Sequence, residues 1–404
     1  MKPADRTQDR RMPWPLLVAA CLAMFAASSS GTTRAPFLLA MAEDLTTSLP
    51  VVANLMAMTS IAWGIASLLA GAGSDKWGRR PFLVGGPVGL ALCMVGASVS
   101  SDFLHVAVWA SAAGACSGGF TGVVMAEASS RVTDRQRGRA LGWVMAGQSL
   151  TLLVGVPMAA WIGAFIGWRG VNQCVAGVAV AAACGLFATT LRSSHRSRAA
   201  GTIRPSYRAA LSGPVLRLLT MGVAERICYG LTAVYFATFL QATYGLPLAG
   251  IVVPLAVFAI GSILGTILGG QLADRLANRM LTFAGAMFGS ALIALPLFGW
   301  TAGLPGSVAL AFAYVFVNAI GRPSLMASLA DVPDEVRGTV LGLNVTSASF
   351  GWLGAASLGG WMMVQYGFAG FGPLAAGVGL LAGGLALIKG RPGSFAPRII
   401  GFRR

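Results

Sequence analysis

Long apolar stretches alternate with short polar breaks along this chain, and the stretches all fall in one length class. They run near 15–36, 51–72, 81–100, 103–126, 139–163, 170–191, 216–240, 248–271, 280–300, 308–330, 339–364 and 369–388. About 20 residues of helix, rising roughly 1.5 Å each, cross the roughly 30 Å of hydrocarbon in a bilayer. Helix is the state these segments must take, because in lipid each backbone N–H and C=O has to be satisfied within its own segment. The pattern predicts an all-α membrane protein of twelve transmembrane helices in two six-helix pseudo-symmetric halves. The count rests on two short breaks, 100–102 and 301–307, which separate the third span from the fourth and the ninth from the tenth.

Composition agrees with that pattern. Apolar residues make up 56% of the chain and charged residues 10%, against about 25% charged in a soluble domain. The 54 glycines suit helices that must approach closely without a hydrophobic drive between them. Six cysteines all lie in apolar stretches, with no CxxC and no histidine pair nearby, which argues against a disulfide framework or a metal site. No phosphate-binding G-x-x-x-x-G-K-[ST] is present, and no catalytic constellation accompanies the spans. Neither an enzyme nor a cofactor is expected.

The net charge of +16 would suggest nucleic acid until the charges are located. All but four of the 29 lysines and arginines fall in the N-terminal tail, in alternate loops or in the C-terminal tail, on one side of the membrane; the four are Arg34, Arg169, Arg226 and Arg322. This is the positive-inside pattern, and it predicts a cell (inner) membrane protein with both termini cytoplasmic. The first span has features of a signal peptide, but cleavage would break the pairing of halves, so an uncleaved helix is expected.

The chain repeats itself. After the second span stand Gly71, Asp75, Lys76, Gly78, Arg79 and Arg80; after the eighth stand Gly270, Asp274, Arg275, Asn278 and Arg279. The aspartates are 199 residues apart, while Arg137-Gly138 and Arg337-Gly338, after the fourth and tenth spans, are 200 apart. Two motifs, each recurring about 200 residues on, divide the chain into residues 1–191, a basic linker at 192–214 and residues 215–404. The first copy matches G-x-x-x-D-[RK]-x-G-R-[RK], with Gly73 where leucine is usual; the second has Asn278 for the glycine and keeps only Arg279 of the basic pair. On these residues the chain resembles a major facilitator superfamily transporter over essentially its whole length. Glycines in this loop permit a tight turn, and a carboxylate at a helix N-terminus is favoured. The resemblance implies that Asp75 caps the eleventh helix near Gly338 and Asp274 the fifth near Gly138, with Arg131, Arg137, Arg275, Arg279 and Arg337 completing a conformational latch. The alternative is that these residues anchor loops to lipid headgroups.

The fifth span carries Gly147, Gly155, Pro157 and Gly163. It is similar to the glycine–proline helix of the drug:proton antiporter and arabinose-efflux-like branch, which implies efflux. Gly155 and Pro157 would kink the helix, since proline removes a backbone hydrogen bond. An ordinary kinked packing helix is the alternative. The arginine that such antiporters often carry in span four is absent near Gly114.

Ionisable groups within spans are costly and mark function by default. Glu225 and Arg226, with Tyr229 one turn on, lie in span seven; Arg322 lies in span ten; Arg34 lies toward the end of span one. The resemblance implies that spans one, four, seven and ten line a cavity. Glu225 is the candidate proton site, and Arg226 and Arg322 are the candidates to hold an anionic group of the substrate or to keep Glu225 ionised. Adjacent helical residues point about 100° apart, so Glu225 and Arg226 are expected to have separate partners. A charge network that only sets packing is the alternative. Arg34 is expected to snorkel to headgroups, Glu127 to join the latch, and His105 to have no partner. The reading is a monomeric, proton-coupled exporter of a small organic molecule (a drug, sugar or organic anion) that works by alternating access. The rivals are an importer of an organic anion on the same fold, and a receptor or scaffold without transport.

Overall fold

The computed structural model describes residues 12–190, 212–276, 278–300, 303–332 and 334–388. The tails and nearly all of the 192–214 linker lie outside that set, as do the side chains of Asp75 and Arg337. Among the described residues every regular element is helical: α1 (Trp14–Thr32), α2 (Leu38–Asp44), α3 (Leu49–Trp77), α4 (Arg80–Val99), α5 (Phe103–Ser130), α6 (Asp134–Leu150), α7 (Val156–Thr190), α8 (Gly213–Tyr244), α9 (Val252–Arg275), α10 (Arg279–Gly299), α11 (Gly303–Ala330), α12 (Asp334–Tyr366) and α13 (Phe371–Leu387).

Ten continuous stretches are long and apolar enough to cross a membrane, and two of them, 136–190 and 343–387, are far longer than one crossing needs. Each of the two turns at a glycine in the left-handed region, Gly167 at φ 67° and Gly367 at φ 62°. Without a Cβ, glycine takes that conformation at little cost. The two turns sit two hundred positions apart, as the repeat does, and dividing the stretches there gives twelve membrane-length segments.

The chain forms two compact units, Met1–Ala200 with Ala233–Ala259, and Gly201–Thr232 with Ile260–Arg404. In the first, α3 packs on α5, and α4 on α5 and α7. Its core holds Leu17, Met24, Leu90, Met94, Phe120 and Val124 among many buried alanines. In the second, α10 packs against α11 and α13, around Leu219, Met221, Phe283, Met287 and Leu325. The outside is also apolar: Phe165 is 75% exposed, Leu104 and Leu292 each 70%. Large apolar side chains turned outward in such number fit lipid as the solvent.

Two sequence expectations about helix ends are corrected. α3 runs through Gly71, Gly73 and Asp75 to Trp77, so those glycines lie in helix, and the turn is made by Gly78 alone at φ 83°. In the second copy Asn278 takes the helix-start role, its side-chain oxygen accepting from Leu281 N–H at 3.2 Å. The helices expected to begin near Gly138 and Gly338 begin at Asp134 and Asp334, so neither glycine marks an N-terminus to be capped.

Candidate functional site

In the second unit, α8 and α11 face one another through side chains a helical turn apart. Glu225 on α8 is 1% exposed, and its Oε1 accepts from Arg322 Nη2 at 3.0 Å and Arg322 Nε at 3.2 Å. Its other oxygen, Oε2, lies 3.6 Å from Arg226 Nε. The expectation of separate partners for Glu225 and Arg226 is therefore wrong. The roughly 100° between their Cβ directions is overcome by the length of both side chains, and one carboxylate serves two guanidiniums.

Neighbouring groups fix the two arginines. The Arg322 guanidinium lies over the Tyr229 ring, 4.9 Å from its centre, a favourable place for a cation. Tyr229 in turn meets Trp352 edge to face. At Gly351 on α12 a Cβ would fall 2.2 Å from the Arg226 Cβ, so glycine there lets α12 close onto α8. Tyr314 Oη donates to the Cys228 carbonyl at 2.8 Å, one turn beyond the ion pair. A small cavity reaches the cluster, lined by Gly222, Glu225, Arg226, Arg322, Asn344 and Ser347 among others. The carboxylate is nearly sealed, at 2% side-chain exposure, while the two arginines keep 24% and 23%. The cluster carries one net positive charge and presents it to the cavity, so it can hold an anion or exchange Glu225 for one.

A family model described as Major Facilitator Superfamily matches residues 17–356. The chain belongs to that superfamily. It is thus a multi-pass membrane protein of a superfamily of transporters, not of enzymes. Among curated relatives, a "Chloramphenicol resistance protein" of Streptomyces lividans is 29% identical over 256 residues, 62% of this chain and 64% of that protein. The "Uncharacterized MFS-type transporter YwfA" of Bacillus subtilis is 30% identical over 39% of this chain and 38% of that protein. These matches span less than two thirds of either relative's length. A solved D-xylose-proton symporter superposes with a TM-score of 0.77 at 14% identity, over 94% of this chain and 98% of that one. A bacterial homologue of the human lysosomal transporter Spinster does so at 0.70 and 15% identity, over 94% and 98%. The last two show the fold alone.

The remaining sequence candidates lie elsewhere in the two units. Arg34 does not snorkel: it is 3% exposed and donates through Nη1 to Thr59 Oγ1 at 2.9 Å. Arg79 reaches Glu127 at 3.2 Å and Ser130 Oγ at 3.0 Å, while Arg131 Nε reaches the other Glu127 oxygen at 2.8 Å. In the second unit Arg279 pairs with Asp331. Arg80 lies over the Phe187 ring, and Arg137, Asp274 and Arg275 are exposed. On the fifth span, Thr151–Gly155 form a single π-helical turn just before Pro157, a bulge of the kind that bends helices. His105, expected to stand alone, pairs with Asp102, whose carboxyl is held below its usual range chiefly by the His105 backbone N–H.

Sequence reasoning missed Asn318 and Tyr314. With Arg322 they sit four residues apart along α11, a spacing that puts all three on one face and was legible. Asn318 is fully buried, and neither end of its amide has a partner among the described residues.

Proposed function

We propose that this transporter couples proton movement to the export of a small organic molecule by alternating access, with Glu225 as the proton-carrying group. The observation that carries the reading is the sharing of one sealed carboxylate between Arg322 and Arg226. Protonating Glu225 removes the charge that holds both arginines, and loosens α8 from α11. Export is supported by the name of the Streptomyces relative, a resistance protein, and by the glycine–proline fifth span. Arg226, Arg322 and Tyr229 in the second unit, and Arg34 in the first, are the side chains that meet the substrate in this reading. Gly71, Asp75, Gly78, Arg79, Arg80, Arg131 and Arg137, with Asp274, Arg275, Arg279 and Arg337, form the cytoplasmic latch, in which Arg79 and Arg131 act through Glu127. The chain works as a monomer in the cell membrane, both termini inside. Gly155 and Pro157 give the fifth span its bend.

Everted vesicles test this. With an acid interior, vesicles bearing the native chain should accumulate a substrate from a labelled panel of drugs, sugars and organic acids, chloramphenicol included. Glu225→Gln should abolish that accumulation and leave substrate exchange intact. Uphill transport at the native rate in the variant would remove Glu225 from coupling, and accumulation only in right-side-out vesicles would make the protein an importer.

A further inference from the structure

A cation buried in a membrane protein needs a counter-charge, and Arg34 has none among the described residues. Its 3% exposure places the guanidinium inside the first unit. No acidic side chain among the described residues pairs with it. Asp44, ten residues on, is engaged by Trp168 Nε1 at 2.8 Å and by Arg169. An isolated buried charge costs several kcal/mol, which is why arginines inside proteins are found with partners.

The way Arg34 is held says what the partner must look like. Nη1 donates to Thr59 Oγ1 at 2.9 Å. That hydroxyl lies within reach of two backbone carbonyls, Leu55 at 2.7 Å and Ala110 at 3.2 Å, so it is fixed in place as an acceptor for arginine. α5 comes this near because Gly114 has no side chain; a Cβ there would lie 2.1 Å from the Thr59 carbonyl oxygen. One corner of the guanidinium is thereby pinned. The two nitrogens left without any hydrogen bond are Nε and Nη2. Their N–H bonds point the same way from one edge of the planar group, which is the fork that a carboxylate takes with two parallel bonds.

We propose that Arg34 is a docking site for a carboxylate, or a similarly planar oxyanion, of the transported molecule. The site rests on the transport reading for its role and names the substrate class as organic anions. Chloride shares the charge but offers a single centre to a two-pronged donor, so it should bind more weakly.

Binding is measured on the purified full chain in a neutral detergent and a low-anion buffer. Sodium acetate, sodium benzoate and sodium chloride are titrated at constant ionic strength while thermal unfolding is followed, since a ligand that binds only the folded state raises Tm. Both carboxylates should raise Tm saturably in the native chain. Arg34→Met should abolish the rise, and Arg34→Lys, which keeps the charge but loses the fork, should weaken binding at least ~10-fold. Carboxylate shifts of equal size in the native chain and in both variants, or no shift in the native chain, would overturn the site. An Arg34-dependent shift by chloride alone would make this a halide site and overturn the substrate class. The readout needs no transport, so a failure of the vesicle experiment leaves it standing, and its own failure leaves proton coupling at Glu225 untouched.

Discussion

The two units answer the same packing demand with glycines on opposite helices. In the first unit the glycines belong to α5: a Cβ at Gly114 would lie 2.1 Å from the Thr59 carbonyl oxygen, and one at Gly118 2.2 Å from that of Trp63, both on α3. In the second unit the partner helix supplies them. A Cβ at Gly265 on α9 would lie 2.2 Å from the Phe316 carbonyl oxygen, and one at Gly269 2.4 Å from that of Ile320, both on α11. Close approach in lipid needs one small surface per pair, and it does not matter which helix provides it. The consequence is chemical. Gly114, Gly118 and Gly122 are answered two hundred positions later by Tyr314, Asn318 and Arg322. The second unit, having put its glycines on α9, is free to carry a phenol, an amide and a guanidinium on α11.

The largest effect should come from breaking the charge cluster that this freedom allows. Glu225→Leu leaves Arg226 and Arg322 without a carboxylate, and removing one side of a buried pair costs about 3–5 kcal/mol. Adding Arg322→Leu should recover much of that loss, because one buried arginine is removed as well. Thermal unfolding of the three purified chains decides it. A single variant as stable as the native chain would mean that the cluster does not hold the second unit together.

Next in size is the steric seam of the first unit. Gly118→Val drives a side chain into backbone, so it should cost about 3 kcal/mol, the upper part of the usual range for overpacking. Gly122 lies on the same helix with nothing within 4 Å of a Cβ. Gly122→Ala should therefore gain about 0.5–1 kcal/mol from reduced chain entropy. Equal losses at both positions would show that α5 needs its glycines for something other than contact with α3.

Lipid made most of the fold legible in advance. Span length and internal satisfaction of the backbone are imposed by the solvent, and each leaves a mark in one dimension. Helix ends carried less information. Gly71 and Gly73 look like turn residues, yet helix tolerates them, and only Gly78 needs a left-handed backbone. Side-chain destinations were harder still. An arginine such as Arg34 near the end of an apolar span reads the same whether it turns out to headgroups or inward. The outcome depends on Thr59 and Ala110 from two other helices. Likewise the Glu225–Arg226 pair follows from the reach of two long side chains, which helical periodicity does not encode.

A third prediction separates an empty polar position from an occupied one. Asn318 is buried with both amide atoms unpartnered among the described residues, where its first-unit counterpart, Gly118, has no polar side chain at all. An unsatisfied buried amide costs about 1–3 kcal/mol, so Asn318→Leu should raise Tm. A fall instead would show that the amide holds a water or solute in the working protein, and would add Asn318 to the lining beside Arg322.

The smallest effects concern the ion pairs that follow the second and eighth spans, where the two units again differ in kind. Arg79 is 24% exposed, and Glu127 10%; its Nη1 also meets Ser130 Oγ, and Arg131 takes the other carboxylate oxygen. Arg279 is 34% exposed and its partner Asp331 68%. Exposed pairs contribute about 0.2–1 kcal/mol, and water and salt screen them. Arg79→Gln should thus cost about 1 kcal/mol, the top of that range, because it breaks a network whose acid is largely withdrawn from solvent. Arg279→Gln should cost about 0.2 kcal/mol, the bottom of it. The difference should persist at high salt for Arg79 and vanish for Arg279. Equal losses, both erased by salt, would mean that the two ion pairs kept their symmetry through duplication and that the divergence of the units is confined to their membrane-buried faces.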